Sequence, residues 1–268
     1  MCRLCLEQDG RLVQKCACRG TAKWVHEHCL ERWQRTSPKV DAAYRCGQCM
    51  DEYRDALSLE LLSARLQARR TDGGNLSSIL STLASELHVQ GKYDEAEPLV
   101  REALEMNRGT LGNRHENTLV SVSILASLLQ DKGNLAAAEP LSREALEVRR
   151  ETLGNRQPDT LASINNLGAL LRAKGDLAAA EPLLREALEV QRETLGGRHL
   201  DTLLSINNLG ALLQSKGDLA AAEPLLREAL EVSCATLGSR HPSTLDRIIN
   251  LISLRVRVTS LRVRAVHE

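Results

Sequence analysis

The sequence predicts a small metal-stapled domain followed by an all-α solenoid built from 42-residue helix hairpins. Two observations carry this. Seven of the eight cysteines and one histidine fall within residues 2–49 in four close pairs. From residue 75 onward, three separate sequence markers return every 42 residues in one register. The first pattern needs metal to fold. The second is a repeat array, in which each hairpin buries its apolar face only against its neighbours.

The four pairs are Cys2 with Cys5, Cys16 with Cys18, His26 with Cys29, and Cys46 with Cys49. Ten, seven and sixteen residues separate them in turn. Eight soft ligands make two tetrahedral, four-coordinate sites, and thiolate with imidazole is the donor set of structural zinc. A disulfide framework is the alternative. No secretory leader precedes the cluster, and disulfides belong to oxidising compartments. The formal charge is zero, with 35 basic and 35 acidic residues. That count treats cysteine as neutral. Seven thiolates against two divalent ions shift the metal-loaded protein to about −3. Arg3, Lys15, Arg19, Lys23 and Arg45 lie beside the ligands. They either offset that excess or are ordinary surface cations.

The words between the ligands resemble the RING-CH family, the variant RING fingers of ubiquitin ligases. The matching text is CRLC at 2–5, CACRG at 16–20, VHEHCLERW at 25–33 and RCGQC at 45–49. The resemblance implies a cross-brace in which Cys2, Cys5, His26 and Cys29 share one zinc, and Cys16, Cys18, Cys46 and Cys49 the other. It also implies that Leu4 and Trp33 form the apolar patch that docks a ubiquitin-conjugating enzyme; the alternative places Trp33 in the small core. Many active RING fingers carry proline within the last pair and a basic residue just after it, where this chain has Gly47 and Met50. A PHD finger is the rival, and Tyr44, two residues before Cys46, suits it.

The whole chain has 268 residues, of which only five are aromatic and none is Phe. Leu and Ala must therefore fill the core. Near-neutral charge gives no argument for nucleic acid, and no apolar run approaches the ~18 residues of a membrane span. Reduced cysteines point to the cytoplasm, the nucleus not being excluded. Cys2 directly follows Met1, so either the domain tolerates an unshielded first ligand or the natural start lies elsewhere.

The expected domains are 1–50, the zinc domain; 51–74, a connector; 75–241, four repeats; and 242–268, a partial repeat and C-terminal cap. In the connector, Leu57, Leu61, Leu62 and Leu66 form a helical stripe, stopped by Thr71 to Asn75. It either packs on the first repeat or forms a dimer helix. In the repeats, the pair Glu97-Pro98 returns at 139–140, 181–182 and 223–224. Gly91 returns at Gly133, Gly175 and Gly217, and the loop word Thr-Leu-Gly begins at Thr110, Thr152, Thr194 and Thr236. In the third unit Leu161, Ile164, Leu167 and Leu171 line the first helix, and Leu177, Ala180, Leu184, Ala187 and Leu188 the second. Gly168, Ala180 and Ala187 are the small residues that let the two approach. Pro182 should weaken the first turns of the second helix.

These words resemble tetratricopeptide repeats of the 42-residue kinesin light chain type, carried by Asn165 to Leu171 and Lys174 to Leu183, and by Asn207 to Leu213 and Lys216 to Leu225. The pattern then fails, with Thr259 at the turn-glycine register and Arg264 at that of Ala222. Arg255, Arg257, Arg262 and Arg264 either face solvent or meet an acidic partner. Stacked hairpins offer a groove for a protein or peptide substrate. Asn165, Asn166, Asn207, Asn208 and Asn250 are its candidate contacts, since an amide pairs with any peptide backbone. They could instead hold the helices together. His115, His199 and His241 read as loop or cap residues, and Cys234 as a core thiol. The expected function is a soluble ubiquitin ligase with two structural zinc ions and no covalent nucleophile. The alternatives are a non-catalytic adaptor and a PHD-like histone reader.

Overall fold

The chain was studied as a computed structural model, which describes residues 12–13, 25–26, 63, 66–67, 76–239 and 242–267. It forms two compact units, Met1–Ile124 and Leu125–Glu268. The sites placed at Leu4, Trp33 and every cysteine of 2–49 lie outside the described residues. Of the connector, Ser63, Leu66 and Gln67 are helical and Leu66 is buried.

In the first unit, β1 (Leu12–Val13) pairs antiparallel with β2 (Val25–His26), with Leu12 opposite His26. Two helices follow, α1 (Ser77–Val89) and α2 (Tyr93–Leu111), and then the start of α3 (Glu116–Asp131). The α1–α2 turn is made at Gly91, whose φ of 74° is open to glycine at no steric cost. The Lys92 amide closes the turn onto the Leu87 carbonyl. Leu80, Leu83, Ala84 and Leu87 of α1 are buried, as are Ala96, Val100, Ala103 and Leu104 of α2. Ala and Val at the contact let the helices lie close together.

The second unit holds the rest of α3 and six further helices: α4 (Leu135–Leu153), α5 (Pro158–Lys174), α6 (Leu177–Thr194), α7 (Leu200–Lys216), α8 (Leu219–Leu237) and α9 (Pro242–His267). Asn134, Asp176 and Asp218 cap α4, α6 and α8 by accepting from the amides of Ala137, Ala179 and Ala221. Of the third unit's expected core, every residue is buried except Leu177, which is half-buried. Pro140, Pro182 and Pro224 lie inside their helices without breaking them. Each removes one amide donor to the residue four earlier. Those residues, Ala136, Ala178 and Ala220, are exposed, so water can replace the lost bond.

The repeats are joined by polar contacts in the same register. Glu139 accepts from Arg143 at 2.9 Å and pairs with Lys174; Glu181 does the same with Arg185 and Lys216. Hydrogen bonds from the lysine and the arginine hold both carboxyls below the ordinary 4.5. Arg150 reaches Glu186 and Arg192 reaches Glu228, at 2.7 and 2.6 Å. Cys234 occupies that same register and, contrary to expectation, is exposed. The helical pattern had placed it on an apolar face, but its equivalents are the surface arginines of the ladder.

Candidate functional site: the zinc domain and the exposed face of the first helices

His26 closes β2, and the antiparallel register sets it against Leu12. The two short strands therefore bracket the Cys16–Cys18 pair in chain order, and Cys29 follows three residues after His26. Among the described residues no group of three His, Cys, Asp or Glu could hold a metal. The donor chemistry for one lies in 2–49, where seven thiols and an imidazole suit zinc and its closed coordination.

In the repeats, the five candidate asparagines separate into two roles. Asn165 is buried, and its Nδ2 donates to Ser205 Oγ at 2.5 Å. Its Oδ1 has no partner. Asn250 Nδ2 donates to Asn207 Oδ1 at 2.9 Å. These three stitch neighbouring first helices, α5 to α7 and α7 to α9. Asn166 is exposed and Asn208 half-buried. Both lie on the outward face, where an amide can meet a ligand.

The composition of that face is the feature that the asparagine register alone did not reveal. Residues spaced four, three and four apart share one side of a helix. On α5 they are Ala162, Asn166, Ala169 and Ala173; on α7 they are Leu204, Asn208, Ala211 and Ser215, all exposed or half-buried. No charge stands among them, in a chain that is 26% charged. On α5 and α7 the charges stand toward the helix ends, at Asp159, Arg172 and Lys174 and at Asp201 and Lys216, and the rest of the ion-pair ladder is on the second helices. Counting outward from Asn166 at helical spacing would have found the face.

Arg172 ends α5 beside this face, half-buried. Its Nε has no hydrogen-bond partner, and burial pulls the guanidinium below its ordinary value. The recurring histidines are caps where they are described. His115 Nδ1 accepts from the Asn117 amide and His199 Nδ1 from that of Asp201, at 3.1 and 3.3 Å. His241 lies outside the described residues. At the C-terminal end, Arg257 donates to the Gln214 carbonyl at 2.9 Å and Arg255 is exposed. The side chains of Arg262 and Arg264 are not among those described.

Three overlapping stretches, 75–151, 121–193 and 159–235, match the tetratricopeptide repeat, so well over half of the chain is covered and it belongs to that family. Residues 2–49 match the RING-variant domain, a zinc-binding module. The chain is 39% identical over 59 residues to the E3 ubiquitin-protein ligase MARCHF5 of Xenopus laevis, covering 19% of this chain and 21% of the relative. The MARCHF5 of Danio rerio is 43% identical over 50 residues, 18% of this chain and 17% of its own. The chain thus spans about a fifth of the curated relatives it matches. Among solved structures, kinesin light chain-like repeats of Podosopora anserina superpose with a TM-score of 0.57 at 28% identity, over 72% of this chain and 90% of that one. BtubC (BKLC) from P. vanneervenii gives 0.58 at 23%, over 76% and 81%, a likeness of fold alone. The fold is a RING-variant domain followed by tetratricopeptide repeats.

Proposed function

We propose that this chain is a ubiquitin-protein ligase whose zinc domain docks a charged ubiquitin-conjugating enzyme and whose repeat face recruits the substrate. The observation that carries the reading is the union, in one chain, of a RING-variant match over residues 2–49, with seven cysteines and His26, and a helical face of small and amide side chains on α5 and α7. Cys2, Cys5, His26 and Cys29 would hold one zinc, and Cys16, Cys18, Cys46 and Cys49 a second. Bound in closed sites, zinc supplies fold and no step of the transfer. Leu4 and Trp33 would form the docking patch. Without a covalent intermediate, the rate gain comes from holding the loaded enzyme and the acceptor lysine together in reactive geometry.

The face on α5 and α7 suits a peptide read through its backbone. Alanines let the chain approach, and Asn166 and Asn208 can donate to its carbonyls and accept from its amides. Arg172 offers a charge-assisted bond to a peptide carboxylate. Thiolate ligands fit a reducing compartment, so the reading is of a cytosolic or nuclear ligase. Among the described residues no helix is long and apolar enough to cross a membrane.

Ubiquitin discharge from a panel of charged conjugating enzymes tests the proposal. The zinc-loaded chain should accelerate discharge, and Leu4→Ala, Trp33→Ala and Cys46→Ser should each remove the acceleration. A folded, zinc-loaded chain that accelerates none of the panel refutes it. Gly47 and Met50 favour the second reading, a non-catalytic adaptor, and that result would select it.

A further inference from the structure

Helix α9 carries an apolar stripe that nothing among the described residues covers. Leu245, Ile249, Ile252 and Val256 are 46%, 62%, 55% and 63% exposed. They stand four, three and four residues apart and so share one face. The opposite face, with Thr244, Arg247, Leu251 and Leu254, is buried, and α9 packs along α8.

The preceding repeats show what this stripe is not. At the register of Leu245, Leu161 and Leu203 are 1% and 0% exposed. At the register of Ile252 stand Gly168 and Gly210. There the hairpin's own second helix lies so close that an added Cβ would be 2.6 Å from Leu184 and 2.7 Å from Leu226. An isoleucine at that place forbids so close a helix. It fits a partner at the wider spacing of side chains interlocked knob into hole. Helix α9 also runs straight through residue 259, where the earlier first helices turn at glycine. No second helix of the described chain folds back along it.

We propose that the stripe is a two-fold contact between two copies of this chain, with their α9 helices antiparallel. Reversing the helix maps the four-three-four spacing onto itself. Leu245 then meets Val256 of the second copy, and Ile249 meets Ile252, twice over. A two-fold contact requires this self-complementarity. The charges select the antiparallel sense. Asp246 flanks one end of the stripe and Arg255 the other, both exposed. A parallel pair would set each arginine level with its own copy. The antiparallel pair sets the acidic end of one helix level with the basic end of the other. The contact is small for a specific interface, so association is expected on the order of 10 μM. Each dimer would carry two zinc domains and two peptide faces.

Sedimentation equilibrium of the zinc-loaded full chain from about 1 to 100 μM reads this directly, since that range brackets the expected association. The mass should rise from 29.5 kDa toward twice that value. Ile249→Lys and Ile252→Asp, each at an exposed position, should separately hold it at 29.5 kDa while leaving the helical circular dichroism unchanged. An equimolar mixture of the two should recover the dimer, because antiparallel order sets the new cation against the new anion. A wild-type chain that stays monomeric throughout overturns the proposal. So does a dimer that both variants leave intact, and a mixture that stays monomeric overturns the antiparallel arrangement.

Discussion

Gly168 shows how much of this protein is decided at single positions. Its missing side chain is the space that Leu184 fills, and Gly210 stands to Leu226 in the same way. Where the first-helix residue is Ala126, the second-helix partner shrinks to Ser142. A larger residue on the first helix goes with a smaller one on the second, as close packing demands. Gly168→Ala should therefore destabilise the repeats by about 1–3 kcal/mol, the usual cost of overpacking. Adding Leu184→Val should return most of it, a coupling that a double-mutant denaturation cycle would measure. Glu139 and Glu181 make a second residue-scale prediction. Their folded carboxyls titrate below 4.5, so in acid the unfolded chain binds more protons than the folded one. The stability they contribute is present above that pH and is lost as pH falls through the lowered folded value. Replacing both with Gln should flatten the acid limb of a pH series of thermal melts.

The elements were largely legible because each was announced by its own chemistry. The turn glycines, the 3.6-residue apolar period and the Thr-Leu-Gly loop gave the hairpins their places. Less legible was what each polar residue does once the helices are stacked. Asn165 and Asn166 are neighbours in sequence with the same amide, yet a 100° step around the helix buries one against Ser205 and leaves the other on the outward face. Register identifies the pair but not which member faces a partner, because that depends on where the next helix lies. Cys234 fails for the same reason. Val232, Ala235 and Leu237 lie around it in sequence, while its equivalents two and one repeats earlier are Arg150 and Arg192. The caps are the other missed detail: Asp176 accepts from the Ala179 amide at 3.1 Å. Asp176→Ala should cost about 1 kcal/mol, a typical N-cap loss, and should be read by urea denaturation.

At the scale of the molecule, two kinds of folding energy occupy one chain. The repeats draw on apolar contacts between neighbouring helices, and such arrays gain stability repeat by repeat. The zinc domain has too little chain for a core of that kind, so its folding free energy is mainly the free energy of metal binding. The two sources respond to different perturbations. A zinc chelator should strip residues 2–49 of their order and abolish any ubiquitin discharge, yet leave the helical circular dichroism and its melting midpoint close to those of the loaded chain. Gly168→Ala should do the reverse, lowering the midpoint while zinc content, measured by a colorimetric chelator after denaturation, stays unchanged. A chelator that also melted the helices would mean that the repeats lean on the zinc domain for stability. Retention of the helices would mean that the proposed peptide face forms without metal, so that loss of discharge on chelation would report on the zinc domain, where docking is proposed, rather than on the repeats.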